Sequence, residues 1–338
     1  MLSAIIFPGL GITLDPSPIA FTIFGKDIYW YGIIIAFGFI MAYVYMSARC
    51  KEFGLNSDNV IDMLLWAVPI GLVCARAYYC VFNWSLYRDN PISCLYVWEG
   101  GMAIYGGVLG GLVGLWVCSK LLKIPFAVIG DLASYGVIIG QMFGRWGNFM
   151  NREAHGGETT NFLRMGLVGS DGVIRYYHPT FLYESLWNLV GLVLLHRLAK
   201  KRKFDGQIML TYFLWYGLGR AWIEGLRTDS LYLFNTGIRV SQLLALIFVI
   251  LSLAILFYVF HAKKPDGKAL YICRVKAAAE TAQEETAEEI TAEAEAQEDA
   301  AEEESEEESQ EESQEESQEE SQEESQEEST EEAAEESE

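Results

Sequence analysis

The densest chemistry in the chain lies in thirteen consecutive residues: Gly144-Arg145-Trp146-Gly147-Asn148-Phe149-Met150-Asn151-Arg152-Glu153-Ala154-His155-Gly156. They directly follow an apolar run, residues 124–143. The end of a membrane helix does not need this density of hydrogen-bonding groups. Guanidinium and amide donors set beside glycines, where another chain or ligand can approach closely, suit an anionic head group such as a phosphate. The bland alternative is a polar loop with a surface ion pair, which the general link between juxtamembrane charge and function makes the weaker reading.

Two further groups can join it. Tyr216, Arg220 and Glu224 fall at i, i+4 and i+8 of another apolar run, on one helical face, and Arg227 follows within a turn. Glu224 at that spacing can hold Arg220 and leave guanidinium donors for an anion; the competing reading is a structural pair that ties helices together. Tyr31 and Tyr105, on two other apolar runs, complete the set. A phosphate needs its charge neutralised, above all when it departs as a leaving group. The chain has no Gly-x-Ser-x-Gly or Ser-His-Asp arrangement for an acyl-enzyme, no phosphate-binding Walker loop and no metal-ligand spacing, so neither ATP, a catalytic metal nor another cofactor is indicated. Of the four histidines, His155 lies in the motif and His178 opens His-Pro-Thr-Phe-Leu-Tyr-Glu; His196 and His261 lie at inner membrane ends as bystanders.

The elements that must position these groups are membrane helices. Residues 28–47, 61–83, 100–119, 124–143, 179–195, 207–226 and 240–260 read as seven spans, each near the twenty or so residues that cross a bilayer at about 1.5 Å per residue. Tyr29 and Trp30 open the first as interfacial aromatics. Arg76 lies inside the second, where insertion costs roughly 2.5–3.5 kcal/mol, so a partner or a wet cavity is expected. Gly106, Gly110 and Gly114 repeat every four residues along the third, a smooth face for close helix packing. Asp131 sits in the fourth, and Tyr183 and Glu184 mark the short fifth. Residues 1–27 read as an extended or interfacial segment, and residues 144–178 as the longest connection, with a turn at Gly169-Ser170-Asp171-Gly172 and short strands in a small extramembrane head.

Charge orients the body. The formal net charge is −22, yet residues 277–338 carry 30 acidic and no basic side chains, which leaves residues 1–276 with 24 basic against 16 acidic, a net of +8. Basic residues crowd the loops after the first, third, fifth and seventh spans (Arg49 and Lys51; Lys120 and Lys123; Arg197 to Lys203; Lys263 to Lys276). The positive-inside rule then puts the N-terminus outside and the C-terminus in the cytoplasm. Arg145, Arg152, Arg164 and Arg175 face outward against that bias, which itself points to ligand binding. The chain divides into a membrane domain over 1–262, a basic juxtamembrane segment over 263–276 and a disordered, self-repelling acidic tail over 277–338, with helical stretches in its Ala/Glu part. Residues 1–27 lack a basic n-region and are broken by Pro8, Pro16 and Pro18, so the first span is expected to act as the targeting signal. The six cysteines form no Cys-x-x-Cys and read as small buried hydrophobes, with Cys94 in an outer loop.

The thirteen-residue motif strongly resembles the signature of bacterial prolipoprotein diacylglyceryl transferases. Tyr29-Trp30-Tyr31-Gly32, Trp98-Glu99-Gly100-Gly101-Met102, the stretch from His178 to Glu184, and Gly219-Arg220 through Glu224, Arg227 and Asp229 support it, in family order over residues 20–260. The resemblance implies an all-helical, seven-span enzyme of the bacterial cytoplasmic membrane with a periplasm-facing head. It would move diacylglyceryl from phosphatidylglycerol to the lipobox cysteine of a preprolipoprotein signal peptide and release glycerol phosphate. No nucleic acid is implied. By the same resemblance Arg145 and Arg220 bind and neutralise the phosphate, Asn148 and Glu153 shape the pocket, and Gly156 permits its loop. Tyr31, Tyr216 and Glu224 match positions tied to activity, and Asp131 a recurring acidic position. Three departures stand out. Tyr105 takes the place where many relatives have a histidine, a proposed general base; a tyrosine, with an ordinary pKa of about 10, is a poor base unless arginines lower it. Phe181 stands where many relatives have glutamine, and the acidic tail is additional.

The residues alone leave two rivals: a transporter or lipid-binding protein that holds a passing anion, and a scaffold whose tail recruits partners. The first calls for internal repeats and helices broken at midplane, which the sequence lacks. The second leaves the motif unexplained.

Overall fold

The computed structural model describes residues 4–169, 171–228, 237, 239–284, 286, 287 and 290. It divides into two units, Met1–Val275 and Lys276–Glu338. In the second, residues 277–284 are helical. Most of the acidic tail, and Asp229, lie outside the described residues.

The first unit is built on α1 (Trp30–Arg49), α2 (Ser57–Phe82), α4 (Ile104–Leu121), α5 (Phe126–Asn151), α6 (Thr180–Ala199), α7 (Gln207–Leu226) and α8 (Val240–Tyr258), with a single-turn α3 (Trp84–Tyr87) after α2. Five of these helical stretches, Trp30–Phe53, Ser57–Phe82, Ile104–Leu121, Phe126–Asn151 and Val240–Lys263, are long and apolar enough to cross a membrane. The other two, α6 and α7, have 20 residues each but interrupt their apolar surface with Glu184 and Asn188, and with Arg220 and Glu224. The outer faces fit lipid: on α8, Leu246, Ile250 and Leu251 are each more than half exposed.

Small residues fix how the helices pair. A Cβ on Gly110 would lie 2.5 Å from Cys74 Cβ and 2.7 Å from the Ile70 carbonyl, and one on Gly114 would lie 2.7 Å from Ala67 Cα. Gly106 faces Tyr78 in the same way. The four-residue glycine repeat therefore lets α4 lie antiparallel on α2, the packing role expected of it. On α5, Gly136 meets Met46 and Gly147 meets Tyr31, which sets α1 antiparallel along it. Helices α6 and α7 are clasped by two tryptophans. Trp187 Nε1 donates to the Trp215 carbonyl (3.1 Å), Trp215 Nε1 donates to the Trp187 carbonyl (3.0 Å), and the rings stack at 4.2 Å. Each ring covers a glycine of the opposite helix, Gly219 and Gly191. Helix α5 is the axis, buried on most sides. Tyr135 Oη donates to the Leu195 carbonyl (3.0 Å) and Gln141 Nε2 to Tyr212 Oη (2.9 Å). Fully buried Asp131 accepts from the amides of Gly206 and Met209 (2.8 Å each), capping the N-terminus of α7.

The segment before α1 is extended, as expected, and folds into strands β1 (Ile5–Phe7), β2 (Ile12–Leu14), β3 (Ile19–Ile23) and β4 (Lys26–Tyr29). β5 (Met165–Val168) and β6 (Ile174–Tyr177) come from the long connection. The sheet order β2-β1-β5-β6 is antiparallel throughout, and β3 pairs with β4 as a hairpin leading into α1. The expected turn links β5 and β6: Gly172 N donates to the Gly169 carbonyl (2.9 Å), and the Arg175 hydrogen bond holds the Asp171 carboxyl below the usual carboxylate range. Ile5, Phe7 and Met165 pack on Phe149 of α5 and Phe181 of α6. Phe181 thus fills the small core of the head, with its ring 4.5 Å from that of Phe149.

Several boundaries differ from those read in the sequence, among them the second span's start at Ser57 and the fifth's end at Ala199, and two bear on the site. The third span starts at Ile104, since Gly100 and Gly101 take φ of 85° and 74°, outside the helical region. The fourth does not stop at residue 143. It runs to Asn151, so the first eight residues of the signature are the last two turns of α5 and not a loop. Polar side chains there end the hydropathy signal without breaking the helix, because the backbone keeps its own bonds and only the surroundings change from lipid to head.

Gly110→Val is expected to destabilise the protein by about 1–3 kcal/mol through overpacking against α2. Gly111→Ala, where a Cβ meets nothing within 4 Å, is expected to hold or slightly raise the melting temperature, since alanine is the better helix former; thermal unfolding in detergent checks both.

Candidate active site

The signature ends α5 with a left-handed residue. Arg152 N donates to the Phe149 carbonyl and Glu153 N to the Asn148 carbonyl (3.0 and 3.1 Å), while Arg152 takes φ 57°. This is a Schellman close with arginine at the position glycine normally fills, and Arg152 Nη2 is anchored on the Pro16 carbonyl at 2.6 Å. The chain then passes between α6 and α7. Gly156 N donates to the His178 carbonyl (2.9 Å) and Gly157 N to the Leu226 carbonyl (2.7 Å). A Cβ on Gly156 would stand 2.6 Å from His178 Cβ and 2.9 Å from the Leu226 carbonyl. Close approach, rather than an unusual φ, requires glycine here.

At the head end of α5, α6 and α7 the charged groups converge on one carboxylate. Glu184 pairs through Oε2 with Arg145 Nε, and through Oε1 with Arg220 Nη1 (2.9 Å) and Arg227 Nη1 (3.7 Å). Arg220 Nη2 also meets Glu224 Oε2 at 2.8 Å, the i,i+4 pair expected from the sequence. Arg239 Nη1 donates to the Glu224 carbonyl. The Glu184, Arg220 and Arg227 side chains are at most 16% exposed, so these interactions are weakly screened. Among the described residues, the guanidinium groups of Arg145, Arg220 and Arg227 thus meet the carboxylates of Glu184 and Glu224. Buried Arg220 Nε has no acceptor among the described residues.

The remaining predicted residues fall around this centre. Arg145 Nη1 donates to Asn148 Oδ1 (3.2 Å), and Asn148 Nδ2 to Glu153 Oε1 (2.9 Å), which also accepts from Asn151 Nδ2 (3.2 Å). Arg145, Asn148 and Glu153 are therefore one chain of bonds. Tyr216 lies within electrostatic reach of Arg220, Glu184 and Arg145. Tyr105 lies within reach of Arg220, Tyr216 and Glu224. The Tyr31 ring packs on Gly147, two residues from Arg145. Asp131 is elsewhere, at the opposite end of α5, fourteen residues or about 21 Å from Arg145. His155 lies over Tyr177, with ring centroids 4.2 Å apart.

Helical spacing assigns Glu224 the task of holding Arg220; the structure divides that task between Glu224 and Glu184. In the sequence Glu184 is no more than a mark on the fifth span. Its signal is present there, a lone carboxylate in an apolar run, which needs a cationic partner. Its partners, on α5 and beyond the end of α7, are distant in sequence and hidden from helical spacing.

Residues 18–258 match the family described as prolipoprotein diacylglyceryl transferase. The chain belongs to that family. It is 40% identical over 268 residues to the phosphatidylglycerol–prolipoprotein diacylglyceryl transferase of Lysinibacillus sphaericus (strain C3-41), covering 77% of this chain and 98% of the relative. Identity to the enzyme of the same description from Clostridium novyi (strain NT) is 42% over 248 residues, 71% of this chain and 95% of the relative. With that of Staphylococcus haemolyticus (strain JCSC1435) it is 42% over 249 residues, 71% and 87%. The chain is thus a multi-pass membrane transferase of lipoprotein biosynthesis, and the three-arginine cluster lies within the matched residues.

Glu184→Gln removes the charge that three guanidinium groups share, and is expected to cost about 3–5 kcal/mol of stability, the usual penalty for breaking a buried ion pair. Glu153→Gln, at the exposed end of the hydrogen-bond chain, is expected to cost under about 1 kcal/mol. Comparing the two melting curves decides whether Glu184 is the keystone.

Proposed function

We propose that this chain transfers the diacylglyceryl group of phosphatidylglycerol to the lipobox cysteine thiol of a preprolipoprotein signal peptide. Sulfur attacks the glycerol carbon that bears the phosphate. An S–C bond forms, the C–O bond breaks, and glycerol phosphate leaves while the thiol gives up its proton. The phosphate gains a second negative charge as it departs. The convergence of Arg145, Arg220 and Arg227 on Glu184 is the observation that carries this reading. Positive charge held in place before the reaction stabilises the charge that develops in it.

Arg145 and Arg220 are the groups assigned to the phosphate. Arg220 Nε offers a donor without an acceptor among the described residues. Asn148 and Glu153 orient Arg145, Glu224 orients Arg220, and Gly156 lets the loop close over the end of α7. Tyr31, Tyr105 and Tyr216 line the approach.

In this reading all seven long helices cross the membrane, α6 and α7 with their charged residues turned inward. The antiparallel pairs α1–α5, α2–α4 and α6–α7 fit that topology. The basic loops support an orientation with the N-terminus and the head outside and the C-terminus inside. The membrane domain is taken as residues 1–262, followed by a basic segment over 263–276 and the acidic tail over 277–338.

Purified protein in phosphatidylglycerol vesicles with a lipobox peptide is expected to give a thioether product by mass. Arg145→Ala and Arg220→Ala, folded as judged by melting, should each lose about 10²–10³ in kcat. Phosphatidylglycerol binding without product from the intact chain would instead support a lipid-binding role.

A further inference from the structure

Arg76 lies near the head end of α2 and is 5% exposed. Its guanidinium is given over to one loop. Nε donates to the Cys94 carbonyl (2.8 Å), Nη2 to those of Ser93 (2.8 Å) and Tyr96 (3.2 Å), and Nη1 to those of Gly101 (3.0 Å) and Gly100. A guanidinium has five N–H donors, so five carbonyls use all of them. Arg76 has nothing left to offer a phosphate, in contrast to Arg220. This also answers how α2 carries an arginine at membrane depth: backbone dipoles solvate it.

The loop so held runs straight into the site. Gly100 and Gly101 adopt positive φ, and a Cβ on Gly101 would lie 2.7 Å from both Arg76 Nη1 and Tyr79 Cε1. Ala103 N donates to the Ala75 carbonyl (3.1 Å), beside Arg76 itself. Helix α4 starts at the next residue, and Tyr105 is in its first turn, within electrostatic reach of Arg220 and Tyr216.

We propose that Arg76 is a positioning residue for the transfer reaction: by fixing the backbone of residues 93–101 it sets where α4 begins and holds Tyr105 against the Arg220 side of the site. This role rests on the transferase reading above. Lysine cannot replace Arg76, because its ammonium has three donors on one atom and cannot span five carbonyls.

The test uses the full chain in phosphatidylglycerol vesicles with a lipobox peptide. Arg76→Lys and Gly101→Ala are each made with and without Tyr105→Phe, and kcat and KM are measured separately. Alkylation of Cys94 in the loop, read by peptide mass, reports the loop directly. Arg76→Lys is expected to lower kcat roughly 10- to 100-fold, the usual effect of a misplacement near 1 Å, with KM for phosphatidylglycerol within about twofold. Adding Tyr105→Phe should cost little more, since the two act through one group. Cys94 should react faster. A kcat equal to that of the wild type, a Tyr105→Phe variant with full activity, or losses that multiply in full would overturn the role. If Arg76→Lys does not fold, Gly101→Ala decides the matter, because it disturbs the same junction and keeps the buried charge. An inactive wild type would instead sink the transferase reading, an outcome distinct from an active wild type that Arg76→Lys matches.

Discussion

The Glu184 carboxylate is the constraint on which the head end of this membrane body depends. Guanidinium groups from α5, α7 and the chain just beyond α7 meet on its two oxygens. Without a shared anion, three cations this close would repel one another through a poorly screened medium. With it, they are held together at one point. The arrangement is ordered before any substrate arrives, which is what makes fixed charge effective against charge that develops in a reaction. Glu224 adds a second carboxylate on one side and the Asn148–Glu153 chain orients Arg145 on the other.

The helix packing serves that one meeting point. The reciprocal Trp187–Trp215 hydrogen bonds lie one turn from Glu184 on α6 and just over one turn from Arg220 on α7, so they fix the register in which the two side chains meet. Gly191 and Gly219 make the clasp sterically possible. Asp131 caps α7 at its far end, and Phe149 and Phe181 join the ends of α5 and α6 under the sheet. The α2–α4 pair is a second packed unit, set by its glycines, and it brings Tyr105 to the same region. Arginine serves both units in different ways. Arg145, Arg220 and Arg227 are paired with carboxylates, whereas the N–H groups of Arg76 go to backbone carbonyls.

Much of this is legible in the residues. Apolar runs mark the helices, the four-residue glycine repeat marks a packing face, and the i,i+4 spacing of Arg220 and Glu224 marks their pair. The turn around Gly169 to Gly172 and the extended N-terminal segment are also readable. The end of α5 is not. Asn148, Asn151 and the neighbouring glycines look like loop residues, since they are polar and poor helix formers, and only the packing of the head on Phe149 shows that the helix continues through them.

Membrane class, the number of long helical segments, the family and the kinds of side chain offered to an anion all follow from the residues in order, because hydropathy, periodicity and motif order are local properties of the chain. Folding in three dimensions was needed to bring Arg145 and Arg220, 75 residues apart, onto Glu184, and to set Arg76 on the loop before Tyr105. It also explains why Gly156 is required, at the close passage of the chain past His178 and Leu226. Those contacts depend on helix register and on antiparallel pairing across long separations. No spacing rule within one helix encodes them.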